Sequence, residues 1–195
     1  KGVSISIQGT VIKSIGQNQD IEVKSKVNQI KIIGTIDKDT YPIMKARVPL
    51  EYIRKFPEYK SRTNLGIVLA KIRNSCSLAT HLFFQENNFI NIQTPILTSN
   101  DCEGAGETFL VNNSTNNFFK DQVYLTVSGQ LHLETVSLGL NRVYTFGPTF
   151  RAENSNTNRH LAEFWMVEPE LCFTNFEELI QLGEDYIKYC LNYVI

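Results

Sequence analysis

Residues 150–168, FRAENSNTNRHLAEFWMVE, carry the side chains best suited to chemistry. The stretch has the pattern of two strands joined by a short polar loop. Alternate residues of a strand share a face, so Arg151 and Glu153 point one way, and Phe164, Met166 and Glu168 share a face of the return strand. Folded as a hairpin, that face offers a fixed cation, a carboxylate and a flat ring. A nucleotide needs all three: arginine for bidentate phosphate contact, an aromatic face for the base, and a carboxylate for an amino group. A bare Arg-x-Glu would suit a surface hairpin with one ion pair. The whole stretch favours the nucleotide.

Several elements must hold this hairpin in place. Residues 123–128 suggest a strand, followed by a helix from Gln130 to about Leu140. Upstream, Val68, Ile72, Cys76, Ala79 and Phe83 form a stripe at helical spacing. It predicts a helix from Leu65 that Asn88 ends, then a strand over 89–95 closed by Pro95. Taken alone, this pattern also suits an ordinary amphipathic helix packed on its own sheet. A last helix is expected from Phe176, with a capping box over Thr174 to Glu177. Its stripe of Phe176, Leu179, Ile180, Gly183, Ile187, Cys190, Leu191 and Val194 is expected to be core. At the other end, residues 3–13 and 21–33 alternate like two long strands around a turn at 14–20. Two strands do not make a stable domain by themselves.

Composition narrows the class. The 195 residues are 42% hydrophobic and 20% charged with net charge −1, so one good core is expected and no global basic field marks a nucleic-acid partner. Cys76, Cys102, Cys172 and Cys190 are scattered without C-x-x-C spacing, which fits reduced thiols in a reducing compartment. His81, His132 and His160 also lack metal-ligand spacing, and no metal site is expected within these residues. No apolar run approaches a membrane span, and no membrane partner is expected. The asparagine-rich run at 112–117 suits a loop.

Residues 150–168 closely resemble motif 2 of class II aminoacyl-tRNA synthetases, in the form found in asparaginyl-tRNA synthetases. Residues 123–130 (VYLTVSGQ), 101–109 (DCEGAGETF) and 143–150 (VYTFGPTF) extend the resemblance over nearly the whole chain, nearer the bacterial and organellar branch than the eukaryotic cytosolic one. The resemblance implies an α+β fold, a class II antiparallel sheet flanked by helices. Residues 1–36 would be the end of an OB-fold anticodon-binding domain, 37–64 a hinge, and 65–195 the first part of the catalytic domain. The 65–95 region is similar to motif 1, implying a homodimer. Motif 3 and the acidic Mg²⁺ ligands of the family are not found in these residues. The chain is therefore expected to be a portion of a longer protein, inactive by itself.

By position in motif 2, Arg151 matches the arginine on the ATP α-phosphate and the substrate carboxylate, the one residue expected to be catalytic. Glu153 matches the carboxylate near the adenine amino group and Phe164 the ring on adenine. Arg159 and His160 resemble groups that meet the γ-phosphate, although an exposed loop histidine has no duty by default. For the amino acid, Glu103 matches a mobile loop carboxylate, equally a turn with an exposed acid when judged without the surrounding match. Ser128 and Gln130 lie at a strand end, and Glu168 faces the substrate. Aspartyl relatives read Ser-Pro-Gln-Leu-x-Lys where this chain reads Ser128-Gly129-Gln130-Leu131-His132-Leu133. Leu133 replaces the lysine that would neutralise a β-carboxylate, so the pocket is expected to take asparagine and refuse aspartate. The implied activity is an asparagine–tRNA ligase using ATP, Mg²⁺ and tRNA(Asn), in the cytoplasm or an organelle. A class II paralogue remains the alternative, either an asparagine synthetase-type adenylating enzyme or a non-catalytic binding protein.

Overall fold

The alternating N-terminal segments form four short strands and not two long ones. In the computed structural model, which describes residues 2–43, 48–102, 104, 107–111, 118–155, 157 and 159–195, β1 (Ser4–Ile7) pairs antiparallel with β4 (Ile30–Gly34), and β2 (Thr10–Lys13) with β3 (Ile21–Lys24). Between the pairs, Gln8 and Gly9 face the longer segment 25–29, so the ribbon must bend. Gly9 permits the bend: a Cβ there would sit 2.5 Å from the Lys24 carbonyl oxygen. A 3₁₀ turn at Val27–Gln29 takes up the longer side, with Gln29 Oε1 accepting the Lys26 N–H.

This ribbon belongs to the first of two compact units, Lys1–Lys71 and Ile72–Ile195. The segment expected as a hinge contains two short helices, α1 (Leu50–Ile53) and α2 (Pro57–Lys60). Ile43 and Ile53 are buried there, and Tyr41 meets Tyr59 edge to face at 5.3 Å.

The second unit is organised by β9 (Arg142–Phe150) and β10 (Glu163–Leu171), an antiparallel pair whose register runs from Phe150 opposite Glu163 to Arg142 opposite Leu171. The side-chain period of two divides the pair into faces. Tyr144 and Phe146 with Val167 and Leu171 occupy one face. They pack with Phe83 and Phe84 of α3 (Asn64–Glu86), with Phe89, and with Leu182, Tyr186 and Tyr189 of α5 (Phe176–Val194). Phe84 stacks on Tyr144 at 4.6 Å between ring centres, and Tyr186 shares a hydrogen bond with Thr80. Asn88, at φ 63, ends α3 in the left-handed conformation that Asn tolerates, and leads into β5 (Ile90–Asn91). That strand pairs parallel with β9, the one parallel contact among the described strands.

The opposite face of β9 and β10 carries Val143, Thr145, Gly147 and Thr149 with Phe164, Met166, Glu168 and Glu170. Beside the pair lies a second small sheet in which β8 (Val123–Leu125) is central, between β6 (Leu97–Thr98) and β7 (Leu110–Val111). The Phe150 N–H reaches Thr126 O, joining the end of β9 to the end of β8. From there the chain enters α4 (Gln130–Leu140), which packs on β9 and β10.

Two expectations for α5 are corrected. The capping box is Asn175 with Glu178, one residue later than expected, each side chain meeting the other's N–H at 3.0 Å. Asn175 holds the extended backbone an N-cap requires. The apolar stripe does not form the core: Phe176, Leu179, Ile180, Ile187 and Leu191 are exposed, while the neighbouring face with Leu182, Tyr186 and Tyr189 packs inward. Similarly, α3 buries Ala79, Thr80, Phe83 and Phe84, but leaves Val68 and Ile72 about half exposed.

Phe84 is 1% exposed and touches the rings of Phe89, Tyr144 and Tyr186. Phe84→Ala is expected to lower the unfolding free energy by about 3–5 kcal/mol, measured by denaturant titration. A loss within error would mean that this ring cluster is not the core.

Candidate active site

Arg151 follows the last residue of β9 and extends the ladder by one bond, its N–H donating to Ala162 O at 3.1 Å. This extension keeps its side chain on the face carrying Thr149, Phe164 and Glu168. The guanidinium lies over the Phe164 ring, 5.4 Å from its centre. Arg151, Glu153, Arg159, His160 and Phe164 together line a cleft of about 720 Å³. All five nucleotide-facing residues expected from the sequence therefore come together.

Beyond residue 151 the hairpin leaves the ladder: the Ala152 N–H donates to Glu107 O at 2.8 Å, and several described side chains meet one another. His160 Nε2 lies 3.5 Å from Glu153 Oε2, with both side chains well exposed. His160 Nδ1 meets the hydroxyls of Thr157 and Ser155. Such exposed contacts contribute about 0–1 kcal/mol. Glu153 and His160 were expected on different parts of a nucleotide, and here they partner each other.

A second cavity of about 180 Å³ opens on the same face of the strand pair, lined by Thr94, Thr126, Gly129, Thr145, Thr149 and Glu168 among others. Ser128 Oγ–H donates to Glu168 Oε1, and the Gly129 N–H reaches both carboxylate oxygens at 3.2 and 3.1 Å. The structure thus brings together Ser128 and Glu168, forty residues apart. Gln130 points elsewhere: its Nε2 donates to Glu134 Oε1 at 2.9 Å on the exposed side of α4. Leu133 is fully buried on the inner side of α4 and lines neither cleft, so its bearing on the site is that no cation stands there. Glu103 lies outside the described residues, as does the 112–117 run.

Sequence reasoning missed the buried hydroxyls of Thr126, Thr145 and Thr149, which wall this cavity. The signal was available, because Thr145, Gly147, Thr149 and Arg151 alternate along one strand. Glu170 was missed for the same reason, one alternation beyond Glu168. Burial, then the charges of Glu134 and Glu168, push its carboxyl above the ordinary glutamate value. Among the described residues, no three His, Cys, Asp or Glu side chains gather to hold a metal.

A family model described as tRNA synthetases class II (D, K and N) matches residues 60–195. The asparagine–tRNA ligase of Nostoc sp. is 44% identical over the whole chain, and that of Microcystis aeruginosa 47%. The chain spans less than half the length of these relatives, 45% and 44% respectively. Among solved structures, asparaginyl-tRNA synthetase from Pyrococcus horikoshii complexed with asparaginyl-adenylate superposes with a TM-score of 0.86 at 24% identity, over 98% of this chain and 43% of that one. The Entamoeba histolytica asparaginyl-tRNA synthetase gives 0.81 at 25% identity, over 98% of this chain and 44% of its own.

The raised Glu170 carboxyl predicts a pH effect. The folded state binds this proton more readily than the unfolded state, so stability falls as pH rises from the unfolded glutamate range through the raised value. Glu170→Gln removes the penalty. The variant is expected to melt higher than the wild type at pH 7 and to lose that advantage near pH 4, read by thermal unfolding at both values. An advantage that persists unchanged at pH 4 would rule out proton linkage at Glu170.

Proposed function

The chain belongs to the class II tRNA synthetases of the D, K and N group, and on that premise we propose that the whole protein is an asparagine–tRNA ligase. In this reading it joins asparagine to ATP as asparaginyl-adenylate with release of pyrophosphate, then passes the asparaginyl group to a hydroxyl at the 3′ end of tRNA(Asn) with release of AMP. The observation that carries the reading is the hairpin face, which puts Arg151 and Phe164 at one cleft and Glu168 at a second cavity. Whole-chain identity to curated asparagine–tRNA ligases supports it further.

Adenylate formation brings two anions together, because the amino-acid carboxylate attacks the α-phosphorus while pyrophosphate leaves. A positioned cation is the main requirement. Arg151, which lines one cleft with Phe164, supplies it. In this reading the guanidinium meets the α-phosphate and the Phe164 face takes adenine. Arg159 and His160 line the same cleft and face the outer phosphates, and the weak Glu153–His160 contact yields to them. Mg²⁺ is expected with ATP. No cluster among the described residues fits it, and no step here passes through it.

On the amino-acid side, Glu168 accepts from the side-chain amide, and no lysine is present at Leu133 to receive a carboxylate. For tRNA, the support is the paired ribbon of residues 4–34, which suits the last strands of an OB-fold. For a homodimer, it is the exposed apolar side of α3 at Val68 and Ile72. The four free cysteines suit a reducing compartment, the cytoplasm or an organelle.

The full-length protein is expected to run ATP–pyrophosphate exchange with asparagine, with aspartate poorer by roughly 10⁴. Arg151→Ala should abolish exchange while leaving circular dichroism unchanged, because the loss falls on transition-state charge and not on packing. Comparable exchange with aspartate would sink the reading of the pocket.

A further inference from the structure

Glu168 is useful for selection only if its carboxylate stays where the amino-acid side chain arrives. We propose that Ser128 and Gly129 are positioning residues that hold Glu168 in that place and so set the preference for a side-chain amide over a carboxylate. This rests on the asparagine-activating reading above and adds to it the device that enforces the choice.

The hydrogen bonds around Glu168 form a directed set. Gln130 N–H donates to Ser128 Oγ at 3.0 Å, which occupies an acceptor position of the hydroxyl while its only proton goes to Glu168 Oε1. Thr126 fixes the loop from behind: its Oγ1 donates to Ser128 O at 2.7 Å and accepts the Ser128 N–H at 3.2 Å. Gly129, the N-cap of α4, directs its N–H at both oxygens of the carboxylate. Thr126, Ser128 and Thr145 are all buried, so this set is shielded from competing water.

Gly129 is required by space as well. A Cβ at this position would lie 2.8 Å from both Thr145 Cγ2 and Thr94 Oγ1. Both neighbours are β-branched and stiff at χ1. A bare N–H is therefore the group that fits between the two threonines and still reaches Glu168.

The consequence is selective. A carboxylate offers about four acceptor positions, and the Ser128 and Gly129 bonds leave capacity on Oε2, in a cavity that Glu168 lines with Thr94 and Thr145. An amide NH₂ donates there. An ionised carboxylate has no proton to donate and brings a like charge to a Glu168 that cannot swing aside. Pinning the repelling group is what makes the rejection effective.

The test uses the full-length protein and the ratio of kcat/KM for asparagine to that for aspartate in ATP–pyrophosphate exchange. Ser128→Ala is expected to lower the ratio by roughly 10- to 100-fold, the range for a hydrogen bond to a charged group, chiefly through KM for asparagine. Ser128→Thr, which keeps the hydroxyl, should restore it. To isolate the Gly129 N–H, Thr94→Ala and Thr145→Ser are combined to make room for a Cβ. In that background Gly129→Ala keeps the background's ratio. Gly129→Pro, whose ring suits the local φ of −84 but removes the donor, loses it. Equal ratios for the alanine and proline variants, or equal losses for both amino acids in Ser128→Ala, overturn the proposal. A wild type that shows no preference for asparagine overturns instead the reading on which it rests.

Discussion

The β9–β10 pair fixes everything else in the second unit. Its register places every odd-numbered residue of β9 beside an even-numbered residue of β10, and the two faces have opposite duties. One face holds the aromatic cluster of Phe84, Phe89 and Tyr144. The other holds small polar side chains and Glu168 around a cavity. A slip of one residue would send Tyr144 into the site and Glu168 into the core, and burying an unpaired carboxylate costs far more than a misplaced ring gains. The core therefore specifies the site: aromatic packing on one side sets which way the carboxylate points on the other.

The polar face concentrates negative charge. Glu168 and Glu170 are two apart on one strand, and Glu134 of α4 adds a third carboxylate near Glu170. The three are treated differently. Glu168 receives two donors from the β8–α4 loop. Glu134 accepts from Gln130. Glu170 takes the strain of burial and of both neighbours, and its carboxyl is the one pushed upward. Donors are directed at the carboxylate that lines the cavity, and the crowding falls on one that does not.

What the sequence made legible follows from the kind of signal. The hairpin face was readable because a period of two is local and needs no knowledge of what covers it. Helix α4 was readable for a similar reason, its start and end falling at Gln130 and Leu140 as expected. The stripe on α5 misled because periodicity reports where apolar residues lie and not which side meets the core. Tyr186, Tyr189 and Leu182 lie on a neighbouring side, and aromatic rings with a polar tip are easily left out of a core stripe although they pack well. The N-terminal ribbon failed differently: uninterrupted alternation hid the bend at Gly9, which depends on a close approach to Lys24 that only the fold reveals. The Ser128–Glu168 contact spans forty residues and has no local trace at all.

The two halves of the site differ in stiffness, and the difference has one cause. Up to Arg151 and Ala162 the hairpin is tied by ladder hydrogen bonds; beyond them its described residues are held by isolated backbone bonds, such as Ala152 N–H to Glu107 O, and by exposed side-chain contacts such as Glu153 with His160. The half suited to a nucleotide is therefore pliable, able to trade weak internal contacts for phosphate. The half suited to an amino acid lies back along the ladder, walled by buried threonines and capped by the start of α4. Discriminating between two nearly isosteric side chains needs groups that do not adjust, since a wall that relaxes accommodates both. Holding a flexible triphosphate needs the reverse, groups that close after it arrives. One hairpin provides both, because the ladder stops partway along the site.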